Sequence, residues 1–493
     1  MAVSRIKELF SDSVVYGLSS VVARFINYLL VPFYTMYFNP AEYGIVGLVY
    51  AAIMFLGVLY TFGMESAYIR YVKGSDTDDK KVFVTLQLSL LAVASVLGAL
   101  LYFAGKPLLL PLMSLDFDGG ARLFVLMLSI LWLDSLTIVP YAHLRIVRQS
   151  WVYAVIKLLN VLINVSLNLY LVIVQGWGIE AIFISNIIAS GSAVLLLIIA
   201  CRHMYAGKPE LAVLKTALIF GLPYVPNGIG FAINEVIDRF FLVRMDEAAI
   251  EAIYGHPYTA DEITGIYNAC YKIAVFMLLG VQMFRLAWQP FFMRYAEAKD
   301  SSDLFGAVFF YFNLACGAIF LTVGIFAKQI VALQVPVLGG TLIDSRYWSG
   351  LEIVPYLLLA YWFQGWFINF SAGIFIKDQT LKFPRITLYG AVITLAGNII
   401  LVPYFGMVGS AVATLLCYGF MSMLAYGYAQ KYYPVNYPLK SVIFIMLSMV
   451  GLVFLSAIHV ILPVQELFWK IILFGTGTLL LLAVLLRFRS NAL

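Results

Sequence analysis

Apolar stretches of about 20 residues recur along almost the whole of this 493-residue chain. A helix of that length crosses the hydrocarbon core of a bilayer, whereas a barrel strand needs only about 10 residues. Hydrophobic residue types make up 63% of the chain and charged types 12%, against about 45–50% and about 25% in soluble domains. This composition excludes a soluble enzyme, a nucleic-acid-binding protein and a disordered chain. We therefore expect an all-α polytopic membrane protein.

Fourteen of these stretches are predicted to span the membrane, with both termini on the cytoplasmic side. They cover residues 13–37, 42–63, 82–104, 121–142, 152–174, 178–200, 214–243, 264–289, 303–326, 350–373, 383–403, 406–429, 439–461 and 467–487. Most lysines and arginines of the predicted loops then lie on the cytoplasmic side, in agreement with the positive-inside rule. The first stretch is interrupted by Arg24 and no cleavage site of small residues follows it, so we expect a retained helix rather than a signal peptide.

Two pairs of matching segments indicate an internal duplication. The segment Gly44–Tyr50 opens span 2 and Gly265–Tyr271 opens span 8, at an offset of 221 residues. The pattern Asn-x7-Gly-x4-Ala joins spans 5 and 6 from Asn168 onward, and it joins spans 11 and 12 from Asn398 onward, at an offset of 230 residues. Because a six-helix unit contains an even number of spans, its two copies would be parallel repeats that rock against each other in alternating access.

The duplication predicts four regions: a six-helix N-terminal lobe at 1–200, a cytoplasmic linker at 201–213, a six-helix C-terminal lobe at 214–430, and extra helices 13 and 14 at 431–493. Two irregular segments are also predicted. Prolines 223 and 226 and glycines 228 and 230 should break span 7, and the residues after Pro290, about 291–303, should form a cytoplasmic surface helix.

Charged and amide side chains inside the predicted spans mark the candidate site, because an ionisable group in a bilayer usually faces a cavity or a partner. Arg24 lies about midway along span 1 and shares a helical face with Asn27 and Tyr28. Span 7 carries a second polar stripe and span 8 adds two cations. The predicted substrate-binding residues are Arg24, Asn27, Tyr28, Asn227, Asn234, Arg239, Lys272 and Arg285, and the residues predicted to couple or pair charges are Asp134, Glu235 and Asp238.

The chemistry of this set favours an anionic cargo, since the planar guanidinium of arginine donates two hydrogen bonds to a phosphate. Simpler roles stay open: Arg24 could pair with Asp134, and Glu235 could neutralise Arg239 one helical turn away. No segment resembles a phosphate-cradling Walker loop, and no nucleophile and base are placed for catalysis. We expect no cofactor, and transport driven by an ion gradient, the membrane potential or the substrate gradient.

Several loose motifs, in order and spacing, resemble the multidrug/oligosaccharidyl-lipid/polysaccharide exporter superfamily, and within it the Wzx-type polysaccharide flippases. They are Phe220-Gly-Leu-Pro-Tyr-Val-Pro226, the following Asp238-Arg239, Gly265-Ile-Tyr-Asn-Ala-Cys-Tyr-Lys-Ile273 and the stretch Asn398…Gly406…Ala411. The resemblance covers essentially the whole chain. The acidic outer loop at about 244–263 departs from the family's short loop, and no role is carried over to it.

The resemblance implies a flippase that moves undecaprenyl-pyrophosphate-linked oligosaccharides, the precursors of O-antigen, capsule or exopolysaccharide, from the inner to the outer leaflet of a bacterial inner membrane. Arg24 would then belong to the cationic cavity that receives the pyrophosphate. In the related lipid II flippases extra terminal helices hold the polyprenyl tail, and spans 13 and 14 would do so here. Membrane lipids, a polysaccharide polymerase and a chain-length protein are the implied partners, and no nucleic acid is expected.

Three other functions stay open at this point. A lipid II flippase of the same superfamily would share the fold. A cation-coupled drug exporter should carry acidic residues, rather than Arg24, at the centre of its first lobe. A polytopic glycosyltransferase or polymerase would need catalytic acids or bases in a sizeable outer loop, and the loop at 244–263 has acids but only about 20 residues.

Overall fold

A computed structural model of the chain describes residues 30–74, 78–336, 339–457 and 466–492. Helices dominate these residues, as a membrane requires, because a helix satisfies its backbone hydrogen bonds internally where no water is present. The predicted site residues Arg24, Asn27 and Tyr28 lie outside the described residues, as does most of the span that contains them. The contacts between Cα atoms divide the chain into two compact units, formed by 1–244 with 259–265 and by 245–258 with 266–493.

The helices of the first unit are long and largely apolar. They are α1 (Leu30–Tyr37), α2 (Pro40–Thr61), α3 (Met64–Gly74), α4 (Asp79–Leu100), a π-helical turn (Leu101–Gly105), α5 (Lys106–Leu112), α6 (Gly120–Ile146), α7 (Ser150–Leu169), a second π-helical turn (Tyr170–Val174), α8 (Glu180–Ala200), a 3₁₀ turn (Arg202–Ala206), α9 (Leu211–Gly221) and α10 (Tyr224–Leu242). The region predicted as a linker, 201–213, contains this 3₁₀ turn, an irregular stretch at 207–210 and the first three residues of α9.

The second unit contains the remaining elements. They are α11 (Glu247–Tyr254), α12 (Ala260–Tyr295, of which 260–265 belongs to the first unit), α13 (Ser301–Val331), the strands β1 (Gln334–Val335) and β2 (Gly340–Thr341), a 3₁₀ helix (Ser345–Ile353), α14 (Val354–Ile376), α15 (Lys382–Tyr432), α16 (Leu439–Ser456) and α17 (Glu466–Ala492). The strands form one antiparallel pair in which Gln334 faces Thr341.

Within the described residues, 11 helices are long and apolar enough to cross a membrane, or 12 if the bent pair α9 and α10 is one span. The 51-residue helix α15 breaks at Gly406, which has φ 52° and ψ −126°. A 51-residue helix would be about 75 Å long, far more than the roughly 30 Å of a bilayer core, so the break divides α15 into two spans. The all-α polytopic fold is confirmed, and the inventory is consistent with 14 spans.

Two predicted irregularities differ from the structure in their position. Span 7 is broken as predicted, with a 45° bend between α9 and α10. The break falls at Leu222 and Pro223, however, while Pro226 is accepted in the first turn of α10, where a missing N–H leaves no bond unmade. The predicted surface helix at 291–303 is wrong, because α12 continues through Pro290 to Tyr295 and α13 begins at Ser301.

The second unit is extended by the two C-terminal helices, which pack on α13. Gly317 of α13 lies against Ile445 of α16 and Leu481 of α17, and a side chain on Gly477 of α17 would overlap Leu321. In a bilayer no hydrophobic force drives helices together, so their association depends on close packing. Small residues allow the helix backbones to approach closely. Predicted spans 13 and 14 therefore associate with span 9.

The predicted domain boundaries stay a prediction. Contacts group span 7 with the first unit, whereas the duplication assigns it to the second lobe. Local structure does agree with the repeat at its matching positions. Gly176 and Gly406 both have positive φ angles, 67° and 52°, and the asparagine eight residues before each is fully buried.

The two glycines that open spans 2 and 8 lie in the first unit and pack face to face. A Cβ atom on Gly44 would overlap the carbonyl oxygen of Asp261, and one on Gly265 would overlap that of Pro40. Both helix starts are capped by reciprocal hydrogen bonds, from Asn39 with Glu42 and from Thr259 with Glu262. Only glycine permits this approach of α2 and α12.

Candidate functional site

The predicted polar stripe of span 7 lies on α10, within the first unit. Asn234, Asp238 and Arg239 are almost fully buried there, with exposed fractions of 4%, 3% and 6%. The helix begins after Pro223 and packs against α2, where a side chain on Gly228 would overlap Val58. Packing against α2 thus turns the amide and charged groups of α10 toward the interior of the unit.

Arg239 forms an ion pair with its sequence neighbour Asp238. Its Nη1 donates to the Asp238 carboxylate at 2.8 Å and to the main-chain oxygen of Glu235 at 2.9 Å. The Asp238 carboxylate also accepts the main-chain N–H of Arg239 at 2.9 Å. Removing one member of a buried ion pair leaves an uncompensated charge and costs about 3–5 kcal/mol. In this conformation the Asp238–Arg239 pair is part of the structure of α10.

Asn227, one helical turn into α10, carries a buried Oδ1 atom that accepts no hydrogen bond from the residues that the structure describes. An unsatisfied buried acceptor costs about 1–3 kcal/mol. Such atoms are rare in folded proteins and mark positions where a ligand, a water or another conformation supplies the donor. The Asn227 side chain therefore carries an acceptor that the described residues leave without a donor.

Asp134 lies in the middle of α6 and is exposed although it belongs to a membrane span. It accepts the Ser190 hydroxyl of α8 at 2.6 Å. Ser190 lies 3.4 Å from the side-chain oxygen of Asn186, whose Nδ2 donates to the Tyr50 hydroxyl of α2 at 3.2 Å. A carboxylate in a span usually faces a cavity or a partner, because its charge is costly in hydrocarbon.

A cation accompanies this carboxylate. The Lys157 ammonium of α7 lies 4.4 Å from the centre of the Tyr141 ring and interacts electrostatically with Asp134. The sequence analysis identified Asp134 but missed the polar partners Tyr50, Asn186 and Ser190. The signal was the spacing of Asn186 and Ser190 by one helical turn on span 6, which puts both on one face.

The second unit holds the two predicted cations of span 8, both on α12. Lys272 is half-buried and Arg285 is exposed. Their separation of 13 residues places them about 140° apart around a helix with 3.6 residues per turn. They lie at different depths and on different faces, so they cannot grip one atom together.

A network of amide and aromatic side chains lies in the interior of the second unit. Asn313 of α13 accepts from the indoles of Trp362 and Trp366 at 2.8 and 2.6 Å. Tyr361 donates to the hydroxyl of Tyr271 at 2.5 Å. Sequence reasoning missed this network, because tryptophan and tyrosine are apolar by composition and their polar atoms matter only once a partner is near.

These arrangements favour binding over catalysis. They offer charges, amides and hydroxyls in a low-dielectric interior, which suit the recognition of a polar or anionic headgroup. In the part of the chain that the structure describes, no group of three or more His, Cys, Asp or Glu side chains is placed to hold a metal ion. Outside the spans, burial raises the pKa of the Cys201 thiol to about 11, so it stays protonated at neutral pH.

A family model described as "Polysaccharide biosynthesis protein" matches residues 37–277, nearly half of the chain. No curated protein matches the sequence. Among solved structures, the chain is similar to the lipid II flippase MurJ in an inward closed conformation, with a TM-score of 0.69 and 14% identity over 97% of this chain and 99% of that one.

Two further similar structures are transporters. One is a multidrug resistance MATE family transporter of the MOP superfamily in an inward-facing conformation, with a TM-score of 0.62 and 15% identity over 85% of this chain and 94% of that one. The other is a MOP superfamily transporter from Pyrococcus furiosus, with a TM-score of 0.56 and 14% identity over 86% and 95%. At these identities the likeness establishes the fold.

Proposed function

We propose that the chain is a polysaccharide biosynthesis protein of the Wzx type, within the multidrug/oligosaccharidyl-lipid/polysaccharide exporter superfamily, and that its cargo is an undecaprenyl-pyrophosphate-linked oligosaccharide. It is a multi-pass membrane transporter or flippase of lipid-linked substrates rather than an enzyme. The proposed cargo is the repeat unit of an O-antigen, capsule or exopolysaccharide, moved from the inner to the outer leaflet. The observation that carries this proposal is the polysaccharide-biosynthesis family match on a flippase fold.

The roles of the individual residues follow from the two ends of such a headgroup. Pyrophosphate calls for cations, and we assign its grip to Arg24, with Lys272 and Arg285 assisting at different depths. We also assign Arg239 to this set, in a conformation in which its guanidinium leaves the Asp238 carboxylate and binds the pyrophosphate instead. Sugar hydroxyls call for neutral acceptors and donors, which Asn27, Tyr28, Asn227 and Asn234 supply. Asn227 is the best supported of these, because its buried Oδ1 has no donor within the described residues.

The cycle proposed is alternating access, in which one lobe rocks against the other while the lipid tail stays in the bilayer or beside spans 13 and 14. Acidic groups in the spans are the candidates for coupling to an ion gradient. Asp134 is the foremost of them, because its carboxylate accepts the Ser190 hydroxyl and interacts electrostatically with Lys157. Glu235 and Asp238 have the same proposed role, with Asp238 engaged by Arg239 in this conformation.

The test of cargo and of Arg24 is complementation of a strain that lacks its own O-antigen flippase. The intact protein should restore surface polysaccharide and move lipid-linked repeat units to the outer leaflet, where periodate reaches them. Arg24→Ala should abolish both at normal expression, and Arg24→Lys should restore part. Arg346→Ala is the matched control, since Arg346 is an exposed arginine paired with Asp344 in the 3₁₀ helix before α14. Full rescue by Arg24→Ala would remove Arg24 from the path.

A lipid II flippase is the second candidate. It is favoured by the length of the similarity to MurJ, which covers 97% of this chain and includes both C-terminal helices. Depletion of the resident lipid II flippase in a strain that carries this protein separates the two cargoes. Growth without it would assign lipid II, whereas lysis alongside restored O-antigen would assign the polysaccharide precursor.

The proposed location is the bacterial inner membrane, with both termini cytoplasmic. Reporter fusions after Leu493 should be active with a cytoplasmic fluorescent protein and inactive with a periplasmic phosphatase. The proposed protein partners are a polysaccharide polymerase and a chain-length regulator, which would consume the repeat units on the outer side. The corresponding test is whether the detergent-solubilised protein captures these two partners. Strains that lack either partner gene provide the control.

A further inference from the structure

An apolar groove runs between α4 and α6 of the first unit, in the half of these helices that the positive-inside rule places toward the outer side. Its volume is about 660 Å³, within the range of about 300–1,000 Å³ that small-molecule sites occupy. Small residues of α4 form its floor, among them Ala94, Gly98 and Ala99, and Leu128 and Trp132 of α6 form the opposite wall. The groove is open along its length.

The tryptophan and serine side chains that line the groove form hydrogen bonds within the protein, whereas the buried Tyr60 hydroxyl behind Gly98 has no partner among the described residues. The indole of Trp132 donates to the Ser95 hydroxyl at 3.0 Å, and the Ser129 hydroxyl donates to the main-chain oxygen of Val125 at 2.9 Å. A methyl group on Gly98 would come 3.3 Å from the Tyr60 hydroxyl, so glycine keeps the floor deep. The groove is therefore shaped for a hydrocarbon chain.

Two cations flank the outer end of the groove, Lys106 after α4 and Arg122 one turn before Val125 of α6, and Arg122 is paired with Glu180. The chain passes from α4 through a π-helical turn to Lys106, whose ammonium is 5.5 Å from the centre of the Tyr102 ring that lines the groove. The described residues contain no carboxylate in an ion pair with Lys106. Lysine and tyrosine side chains at this depth lie at the level of lipid headgroups. One unpaired ammonium complements one phosphate.

We propose that this groove binds an anionic phospholipid, with one acyl chain between α4 and α6 and its phosphate against the Lys106 ammonium. The charge argues for a phospholipid rather than for the cargo, because a pyrophosphate carries more negative charge than one lysine neutralises. The groove lies wholly within the first unit and is independent of the cargo proposed above. The protein thus carries a lipid site that is separate from the transport path.

The full-length protein in phosphatidylethanolamine vesicles provides the test. A small fraction of photoactivatable phosphatidylglycerol, with a diazirine in its acyl chain, is crosslinked and the adducts are mapped by mass spectrometry. Adducts should concentrate in residues 94–102 and 125–133. Photoactivatable phosphatidylcholine should give about five-fold fewer, and Lys106→Ala should remove that difference, since one basic residue near an anionic headgroup accounts for about a factor of five.

Filling the groove provides the second arm. Ala99→Trp should reduce the adducts at least five-fold, and Ser129→Phe should do so from the other wall. Ala92→Trp is the matched control, because Ala92 is exposed on the same helix but does not line the groove. All variants are compared at equal monodispersity and unfolding temperature.

Three results would overturn the proposal. One is equal labelling by both lipids, and another is adducts spread evenly over all lipid-facing helices. The third is displacement of phosphatidylglycerol from the groove by undecaprenyl phosphate, which would identify an isoprenoid chain as the occupant.

Discussion

The two hairpins that carry the pattern Asn-x7-Gly-x4-Ala share their internal hydrogen bonds but differ in what approaches them. In the first, Asn168 donates to the main-chain oxygen of Asn164 at 2.8 Å and accepts the Tyr34 hydroxyl at 3.1 Å. In the second, Asn398 donates to the oxygen of Thr394 at 2.8 Å and accepts the Ser410 hydroxyl at 2.6 Å. Each asparagine thus ties its side chain to its own helix one turn back and to one hydroxyl.

The surroundings of the two glycines are different. No atom lies within 4 Å of the position where a Cβ atom would be on Gly176. At Gly406 the Cβ atom would overlap the hydroxyl of Tyr254, which accepts the main-chain N–H of Met407 at 2.8 Å. Tyr254 ends α11, the helix of the acidic outer loop. The hydrogen bonds of the asparagine are therefore common to both copies of the repeat. Tyr254, in the outer loop that lies outside the repeat, packs against the helix break at Gly406, whereas no described atom lies close to Gly176.

The largest expected difference is between alanine substitutions at the two glycines. Gly406→Ala should destabilise the protein by about 3 kcal/mol, because φ 52° with ψ −126° is a region almost reserved for glycine and the methyl group meets Tyr254. Gly176→Ala should cost about 1 kcal/mol, from the positive φ alone. Unfolding temperatures in detergent measure both. Adding Tyr254→Ala should recover part of the loss in Gly406→Ala and none in Gly176→Ala, and equal losses at both glycines would refute the comparison.

Substitution of the two asparagines should reduce the stability of the protein by similar amounts, in contrast to the two glycines. Asn168→Leu and Asn398→Leu should each cost about 1–3 kcal/mol, because each leaves a buried hydroxyl without its acceptor. Removing that hydroxyl as well, with Tyr34→Phe or Ser410→Ala, should restore part of the stability in each hairpin. A large loss in one hairpin and none in the other would show that the shared pattern is fortuitous.

The sequence predicted the fold where the signal is repeated many times over. Twenty-residue apolar stretches and Lys and Arg distribution predict an all-α membrane protein, and spacing alone identified the pattern around Asn398 and Gly406. The prediction of helix boundaries was wrong where it depended on the effect of a single proline. Pro226 and Pro290 are accepted inside helices, because the first turn of a helix lacks a partner for that N–H, and neighbours in a membrane bundle can satisfy the bonds that Pro290 frees.

The candidate site was predictable in its charges and not in its partners. Asp134 was identified because a carboxylate in a span is conspicuous, whereas Ser190 and Tyr50 are common residues whose role depends on a contact between α8 and α6 or α2. The two possible partners of Arg239, Asp238 and Glu235, are both close in sequence. The contact with Asp238 depends on the rotamer of Arg239, and rotamers follow from packing that a single sequence does not reveal.

A smaller effect is expected from the hydroxyl that closes the second hairpin. Tyr254→Phe keeps the ring against Gly406 but removes the acceptor of the Met407 N–H, so it should cost about 1 kcal/mol. Tyr258→Phe, in the same outer loop, is the control, and it should leave the unfolding temperature unchanged. If Tyr254→Phe is equally silent, the ring alone closes the break and the hydrogen bond contributes nothing.

The smallest effect is a pH dependence that distinguishes the second hairpin from the first. Burial raises the pKa of Tyr254 from 10.0 to about 12. Because the folded state holds this proton more tightly than the unfolded state, the stabilisation is fully present below pH 10 and is lost as the pH rises toward 12. Lysines titrate in the same interval, so the quantity to measure is the difference in unfolding temperature between the wild type and Tyr254→Phe. That difference should stay constant from pH 7 to 9.5 and shrink above it. A difference that is unchanged up to pH 12 would mean that the phenol is not buried in solution, and that the outer loop leaves Gly406 as open as Gly176.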